Sequence, residues 1–543
     1  MRSSAQGSSA QGSSAQGSSA QSGPHRWDVV VVGGGHNALT AAAYLARSGR
    51  RVLVLERAQQ VGGAAVSTAV GAAGAPFPGV AARLSRYSYL VSLLPRLIVD
   101  DLGLDVRLAR RRVSSYTPDP GDPARGLLVA DDADVTRRSF ARVGAAGDHA
   151  GWTALYAGTQ RLAEAVFPTL TDPLPTRTEL RERVGDDALW TALVERPLGE
   201  RITETLRSDL VRGVVATDGL IGTLARPDDP SRAANRCFLY HVIGNGTGRW
   251  DVPVGGMGTV AGALERAARG AGTRIVTGAE VTAIDPAGRV AYAHLGEEHT
   301  VHGDRVLAGV APWVLERLCP GACPGPKPVG AQVKVNLLLR RLPALHDHVV
   351  PPVSGFGGTL HVNESYTQLD QAYAAARRGA VPDPLPCEAY CHSLTDPTIF
   401  SPELAASGAQ TLTVFGLQVP APTESADAWR TRLERAVLAS LGSVLAEPVE
   451  DLLVTDADGR PCIETLTTLD LERTLALPGG QIFHGDLAWP FLDDDAPRDT
   501  PARRWGVATG HPRVLLCGAG AVRGGGVSGI GGHNAAMAVL ADG

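Results

Sequence analysis

The sequence predicts an α/β fold in which a parallel sheet, assembled from both ends of the chain, is interleaved with a second, α+β domain. Three observations predict it. The runs Val29–Val32 and Val52–Leu55 are short, β-branched and continuous, as strands buried on both faces should be. Glycine-rich segments follow such runs twice, at Gly33–Gly35 and again at Gly518–Gly529. The 543 residues, 44% of them hydrophobic, are also too many to pack around one centre.

Taken in order, residues 3–21 repeat Ser-Ser-Ala-Gln-Gly with nothing larger than alanine to drive collapse, so residues 1–24 are expected to form a disordered, low-complexity tail. Residues 25–100 begin with a strand, helix, strand unit, its helix running from Asn37 to Ser48 and ending at Gly49. Residues 101–250 are polar, arginine-rich and broken by prolines. They read as a helical lid or substrate domain without buried parallel strands. Over 251–325 short strands at Arg274–Thr277, Glu280–Ile284 and Arg289–His294 suggest an antiparallel meander, followed by a buried run at Val306–Val310. Alternating strands at Gln332–Leu339 and Thr411–Leu417 place an antiparallel sheet in the second domain, within 326–470. Residues 471–543 return to the first domain through Val514–Cys517, a glycine loop and a helix starting near Val527.

The motif Gly33-Gly34-Gly35-His36-Asn37-Ala38 lies between strand and helix, and Glu56 ends the next strand. Gly33 permits the tight turn, Gly35 lets a pyrophosphate approach the backbone, and Ala38 lets the helix pack on the sheet. The helix start offers free N–H groups and a partial positive charge. Glu56 is placed to accept hydrogen bonds from a ribose, with Arg57 beside it. These features predict a dinucleotide site. Gly62-Gly63, six residues past Glu56, resembles the second glycine motif of glutathione-reductase-type flavoproteins and points to FAD. Those proteins often carry arginine next, where this chain has Ala64. The closing segment, with Gly518, Gly526, Val527 and Ser528, lacks the strand, helix, strand unit of a second nucleotide domain. It is expected to join the first one, near the flavin ring.

These motifs, with Trp250–Gly258, Asp396-Pro397-Thr398, Ile482–Gly485 and His533–Ala536, resemble the phytoene-desaturase-related FAD-dependent oxidoreductases. The nearest likeness is to the branch called pyridine nucleotide-disulfide oxidoreductase domain-containing protein 2. The resemblance implies a glutathione-reductase-type FAD-binding domain interleaved with an amine oxidase-like substrate domain. It also implies non-covalent FAD, Val281 beside the adenine, and Gly255-Gly256 opening the helix that returns the chain to the FAD domain. Lys334 sits on the strand Gln332–Asn336 in a place similar to the flavin amine oxidase lysine that holds a water near N5. The alternative is an edge-strand lysine reaching solvent. His484, after strand-like Gln481–Phe483, and His241, in Phe238–His241, are further candidates for proton transfer, or else hydrogen-bonded structural histidines. The family's downstream arginine and proline are replaced by Phe491–Arg498.

The implied reaction moves a hydride from a substrate C–H to flavin and forms C=C or C=N on an apolar small molecule. A redox-neutral isomerase or cyclase and an FAD-bearing interaction protein without turnover are the alternatives. Dioxygen or a quinone-like acceptor is expected to reoxidise the flavin. Tyr87, Tyr89, Phe238, Tyr240 and Trp250 are expected around an apolar cavity. A net charge of −5, from 51 basic and 56 acidic residues without long blocks, excludes a nucleic-acid footprint, and Arg110–Arg112 read as a solvated loop. No run is long and apolar enough to span a membrane, so a cytoplasmic protein is expected, with peripheral membrane contact left open. Arginine outnumbers lysine heavily, as GC-rich bacterial coding produces. The seven cysteines contain no C-x-x-C pair and no metal-binding pattern.

Overall fold

Val29–Val32 and Val52–Leu55 are buried on both faces because each lies inside a parallel sheet. In the computed structural model, which describes residues 26–68 and 75–542, Arg26–Val32 pairs with Val52–Glu56 on one side and Glu297–Ala308 on the other. Arg274–Thr277 extends the sheet beyond Val52–Glu56, and Val514–Leu516 pairs with the end of Glu297–Ala308, all in parallel. Both ends of the chain therefore supply one sheet. The tail expected over 1–24 lies outside the described residues.

The meander is shifted from its expected place. Its strands are Ala279–Ile284, Arg289–His294 and the first half of Glu297–Ala308, paired antiparallel. Arg274–Thr277 belongs instead to the parallel sheet. Four residues cannot report from their own sequence which strand they will join. The last helix begins at Ile530 rather than near Val527, because Gly529 holds a left-handed backbone (φ 74°) immediately before it. This helix crosses His36–Arg47 so closely that a Cβ on Gly532 would stand 1.8 Å from the carbonyl oxygen of Asn37.

The second sheet runs Ile463–Leu466, Val333–Leu339, Gln410–Gly416, Cys387–Tyr390, Thr359–Val362, Val113–Asp119 and Asp122–Ala130. The expected antiparallel pairing of Val333–Leu339 with Gln410–Gly416 is present. The hairpin Val113–Ala130 corrects the reading of 101–250 as helical without buried parallel strands, since Val113–Asp119 pairs parallel with Thr359–Val362. Pro118, Pro123 and the polar residues between them mask its pattern, yet Tyr116, Leu127 and Val129 are buried. The remainder of that segment is helical, and its core, including Leu162, Trp190, Ile202, Val211 and Phe238, packs over the sheet. No described helix is long and apolar enough to cross a membrane.

Candidate functional site

The glycine turn is built as its chemistry requires. Gly33 has φ 88°, Gly62 120° and Gly63 57°, and the Gly62 N–H donates to the Gly34 carbonyl at 2.8 Å, joining the two glycine motifs. Gly35 has φ −68°, which any residue adopts, yet a Cβ there would meet no atom within 4 Å. It would project into the groove before the start of helix His36–Arg47, which no side chain caps. An open groove over glycine and an uncapped helix start fit the pyrophosphate of a dinucleotide. Glu56 accepts from the N–H groups of Gly34 (2.6 Å) and Ala58 (2.7 Å), so its carboxylate is fixed at the groove's edge with lone pairs to spare. Arg57 is tied to the carbonyl of Thr474 at 3.1 Å.

One cavity of about 490 Å³ runs from this cradle into the second domain. It is lined at one end by Glu56, Arg57 and Val281, in the middle by Gly33, Gly35, His36, Asn37, Ala38, Gly63 and Ala64, and beyond them by Gly518, Gly526 and Val527. Lys334 and His241 also line it, as does His484, which stands near His36. Gly62 and Ser528 lie outside the lining. Gly62 shapes the turn, and the buried Ser528 hydroxyl accepts from the Ile530 N–H (3.2 Å) at the start of the last helix. His36 and Asn37 hold the C-terminal loop through the carbonyls of Gly526 (3.0 Å) and Gly524 (3.2 Å). Gly255 and Gly256 (φ 85° and 84°) precede helix Met257–Gly270 without reaching this cavity, and the Gly255 N–H donates to Asp396 at 2.6 Å. Their role is structural.

Lys334 is not an edge-strand lysine. Its strand lies between two others, and the residue is 4% exposed. Its ammonium donates to the carbonyls of Ser85 and Tyr87, both at 2.9 Å, and stands 5.1 Å from the Tyr89 ring centroid. Burial pushes its pKa down to about 7, against a weaker opposing pull from Glu464. Gln481–Phe483 is not a strand but a turn after the short helix Pro478–Gly480, and His484 follows with φ 68°. Burial, with His36 nearby, lowers His484 to about 4, and its Nδ1 has no partner. His241 is bonded through Nδ1 to the Cys237 carbonyl (2.8 Å) and stacks on Trp250 at 5.2 Å; burial lowers it to about 4. Both histidines are neutral near pH 7 and suited to accept a proton only weakly.

Tyr87, Tyr89 and Trp250 line the cavity, whereas Phe238 and Tyr240 belong to the core of the helical segment. Phe415 and Ile482, which the sequence did not single out, complete the apolar walls. Arg111 also departs from expectation. It is drawn inward to the carbonyl of Trp250 (3.2 Å) and the hydroxyl of Thr359 (3.3 Å), and burial lowers its pKa. Arg523, fully buried, donates to the carbonyls of Thr169 and Asp172 (2.7 Å each) and Trp505 (3.2 Å), tying the C-terminal loop to the helical segment. Asp494, where the sequence departs from the family pattern, accepts from the N–H and hydroxyl of Thr178 (2.9 and 2.8 Å).

A family model described as an NAD(P)-binding Rossmann-like domain matches residues 31–93. Rat pyridine nucleotide-disulfide oxidoreductase domain-containing protein 2 is 28% identical over 95% of this chain and 94% of its own. Uncharacterized protein Rv0897c of Mycobacterium tuberculosis is 56% identical over 528 residues, 95% of this chain and 97% of that protein. The chain belongs to one family with this mycobacterial protein. A redesigned putrescine oxidase shares its fold, with a TM-score of 0.55 at 16% identity over 96% of this chain and 100% of that one. The fold shared with putrescine oxidase thus extends well beyond the 31–93 match. All seven cysteines are free, so the disulfide in the rat protein's name has no counterpart here.

Proposed function

We propose that this chain is an FAD-dependent dehydrogenase or oxidase acting on an apolar small molecule. Bound FAD would supply the acceptor for a hydride leaving a substrate C–H; loss of a proton from the neighbouring carbon to water then leaves C=C, while hydride loss beside an amine nitrogen leaves C=N. The observation that carries this reading is the single cavity joining the dinucleotide cradle to Lys334. In it, Gly33–Ala38 and Gly63, on the turn that Gly62 shapes, would hold the pyrophosphate, Glu56 and Arg57 the ribose end, and Val281 the adenine. His36, Gly526 and Val527 place the ring end of the cofactor toward the second domain. Tyr89, Phe415 and Trp250 orient the substrate and exclude water. Lys334, with two of its protons committed to carbonyls, holds a water or a substrate atom with its third. Dioxygen or a quinone-like compound serves as acceptor, because no second nucleotide unit stands among the described residues.

Anaerobic mixing of the flavin-loaded protein with a panel of hydrophobic amines and polyenes tests the proposal. Lasting loss of the oxidised flavin absorbance, reversed by air or a quinone, is expected for at least one class. Product formation without net bleaching assigns a redox-neutral isomerase instead. No bleaching and no product from any member leaves only the interaction-protein reading.

A further inference from the structure

Glu364 is the most anomalous side chain in the molecule. It is fully buried, and neither carboxylate oxygen has a hydrogen-bond partner. A buried carboxyl left so costs several kcal/mol unless something absent from a protein-only description bonds it. Arg111 does not answer it, since its guanidinium is spent on Trp250 and Thr359 and forms no ion pair among the described residues. The space is kept for the backbone carrying Glu364 by Gly213, whose Cβ would meet the Glu364 carbonyl oxygen at 1.9 Å.

Two other buried groups converge on it. One ring nitrogen of His361, one oxygen of Glu364 and one of Glu388 lie within 4.8 Å of one another. His361 is held through Nδ1 to the Thr117 hydroxyl (2.9 Å), and Glu388 accepts from Thr217 (3.2 Å) and from the Tyr390 hydroxyl. Such outer hydrogen bonds are what orient ligands around an ion. Burial, and Glu388 nearby, push the Asp218 carboxyl up to about 7. Sheet register fixes the location, because Lys334, Phe415, Glu388 and His361 are successive cross-strand neighbours in one row. Glu388 stands two strands from Lys334, about 10 Å away. Its partner Tyr390 packs against Tyr89, ring centroids 4.5 Å apart, at the cavity wall.

We propose that His361, Glu364 and Glu388 form a buried binding site for one divalent cation of the zinc–manganese class. One imidazole and two carboxylates suit these ions better than magnesium or calcium, which take oxygen alone. Donors around a tetrahedral ion stand about 3.4 Å apart. Glu364, having no bond to break, rotates to close the difference. The ion ties Glu364, just past strand Thr359–Val362, to His361 and Glu388 of the sheet behind the Tyr390–Tyr89 wall, where Thr217 braces Glu388, and so organises the back of the cavity without entering the redox chemistry.

The test uses full-length protein purified without metal-affinity chromatography. Elemental analysis is expected to find about one zinc or manganese per chain, and less than half of that in Glu364→Gln and His361→Gln. Exhaustive chelation is expected to lower the melting temperature by several degrees, with recovery on adding ZnCl₂ or MnCl₂ and flavin content unchanged throughout. Because the wild-type chain is itself titrated, the result does not depend on the variants folding. Metal-free protein that shows no thermal shift with either ion, including after refolding in its presence, overturns the proposal. In that event the loss of a protonated-carboxyl infrared band in Glu364→Gln assigns a proton-sharing acid pair instead.

Discussion

Replacing Lys334 with methionine probes the end of the cavity where the proposed reaction takes place. The substitution keeps volume and removes the charge, leaving the carbonyls of Ser85 and Tyr87 without their donor. Burial moves the lysine from 10.5 to about 7, so the ammonium form is disfavoured in the folded state by about 5 kcal/mol. One pH unit below 7 the charged form predominates about tenfold, and one unit above it the neutral amine does. The rate of anaerobic flavin reduction in the wild type should therefore inflect near pH 7. Lys334→Met should lose the inflection and about 10²–10⁴-fold of the rate. Stability has a definite sign as well. Between about pH 7 and 10.5 the unfolded chain holds a proton that the folded one has released, so wild-type stability gains with rising pH across that window. The methionine variant lacks this gain. Stopped-flow reduction and thermal melts across pH 6–10.5 measure both. Identical profiles for the two proteins would refute a buried, titrating lysine at the reacting end.

Further substitutions separate cofactor space from packing. Gly35→Val is expected to preserve the melting temperature of the cofactor-free protein, because φ is ordinary and the new side chain meets open space, while abolishing flavin uptake measured by absorbance. Gly532→Ala, 1.8 Å from the Asn37 oxygen, should instead destabilise the fold by about 1–3 kcal/mol in a denaturant titration, whether or not flavin is present. Arg523→Met leaves the buried carbonyl of Thr169 and the part-buried ones of Asp172 and Trp505 without their donor and should lower stability by about 1–3 kcal/mol, with faster proteolysis around residues 167–172. Trp250→Ala removes the ring stacked on His241 and should raise KM for an apolar substrate more than it lowers kcat.

What could be read in the sequence was local. The glycine turn, Glu56 and the two buried runs announce themselves because a backbone that must approach phosphate permits few residues. Lys334 is conspicuous for the same kind of reason, as a charge among apolar neighbours on a strand. The sequence leaves open whether that strand is central or at an edge, which depends on Gln410–Gly416 and Ile463–Leu466 arriving from far along the chain. Arg111 looked like part of a solvated cluster for want of the same information. The row from Lys334 through Phe415 and Glu388 to His361 is built entirely by register between distant strands, and nothing in any one segment marks it. Hairpin Val113–Ala130 was hidden by its prolines, and Arg523 by carbonyls supplied from the helical segment.

Flavin content of the purified chain tests the central claim most directly. After reconstitution with FAD and gel filtration, the account predicts one tightly held FAD per chain, with its visible absorbance perturbed on binding and lost in Gly35→Val. A colourless protein that neither retains nor takes up FAD while remaining folded would contradict it.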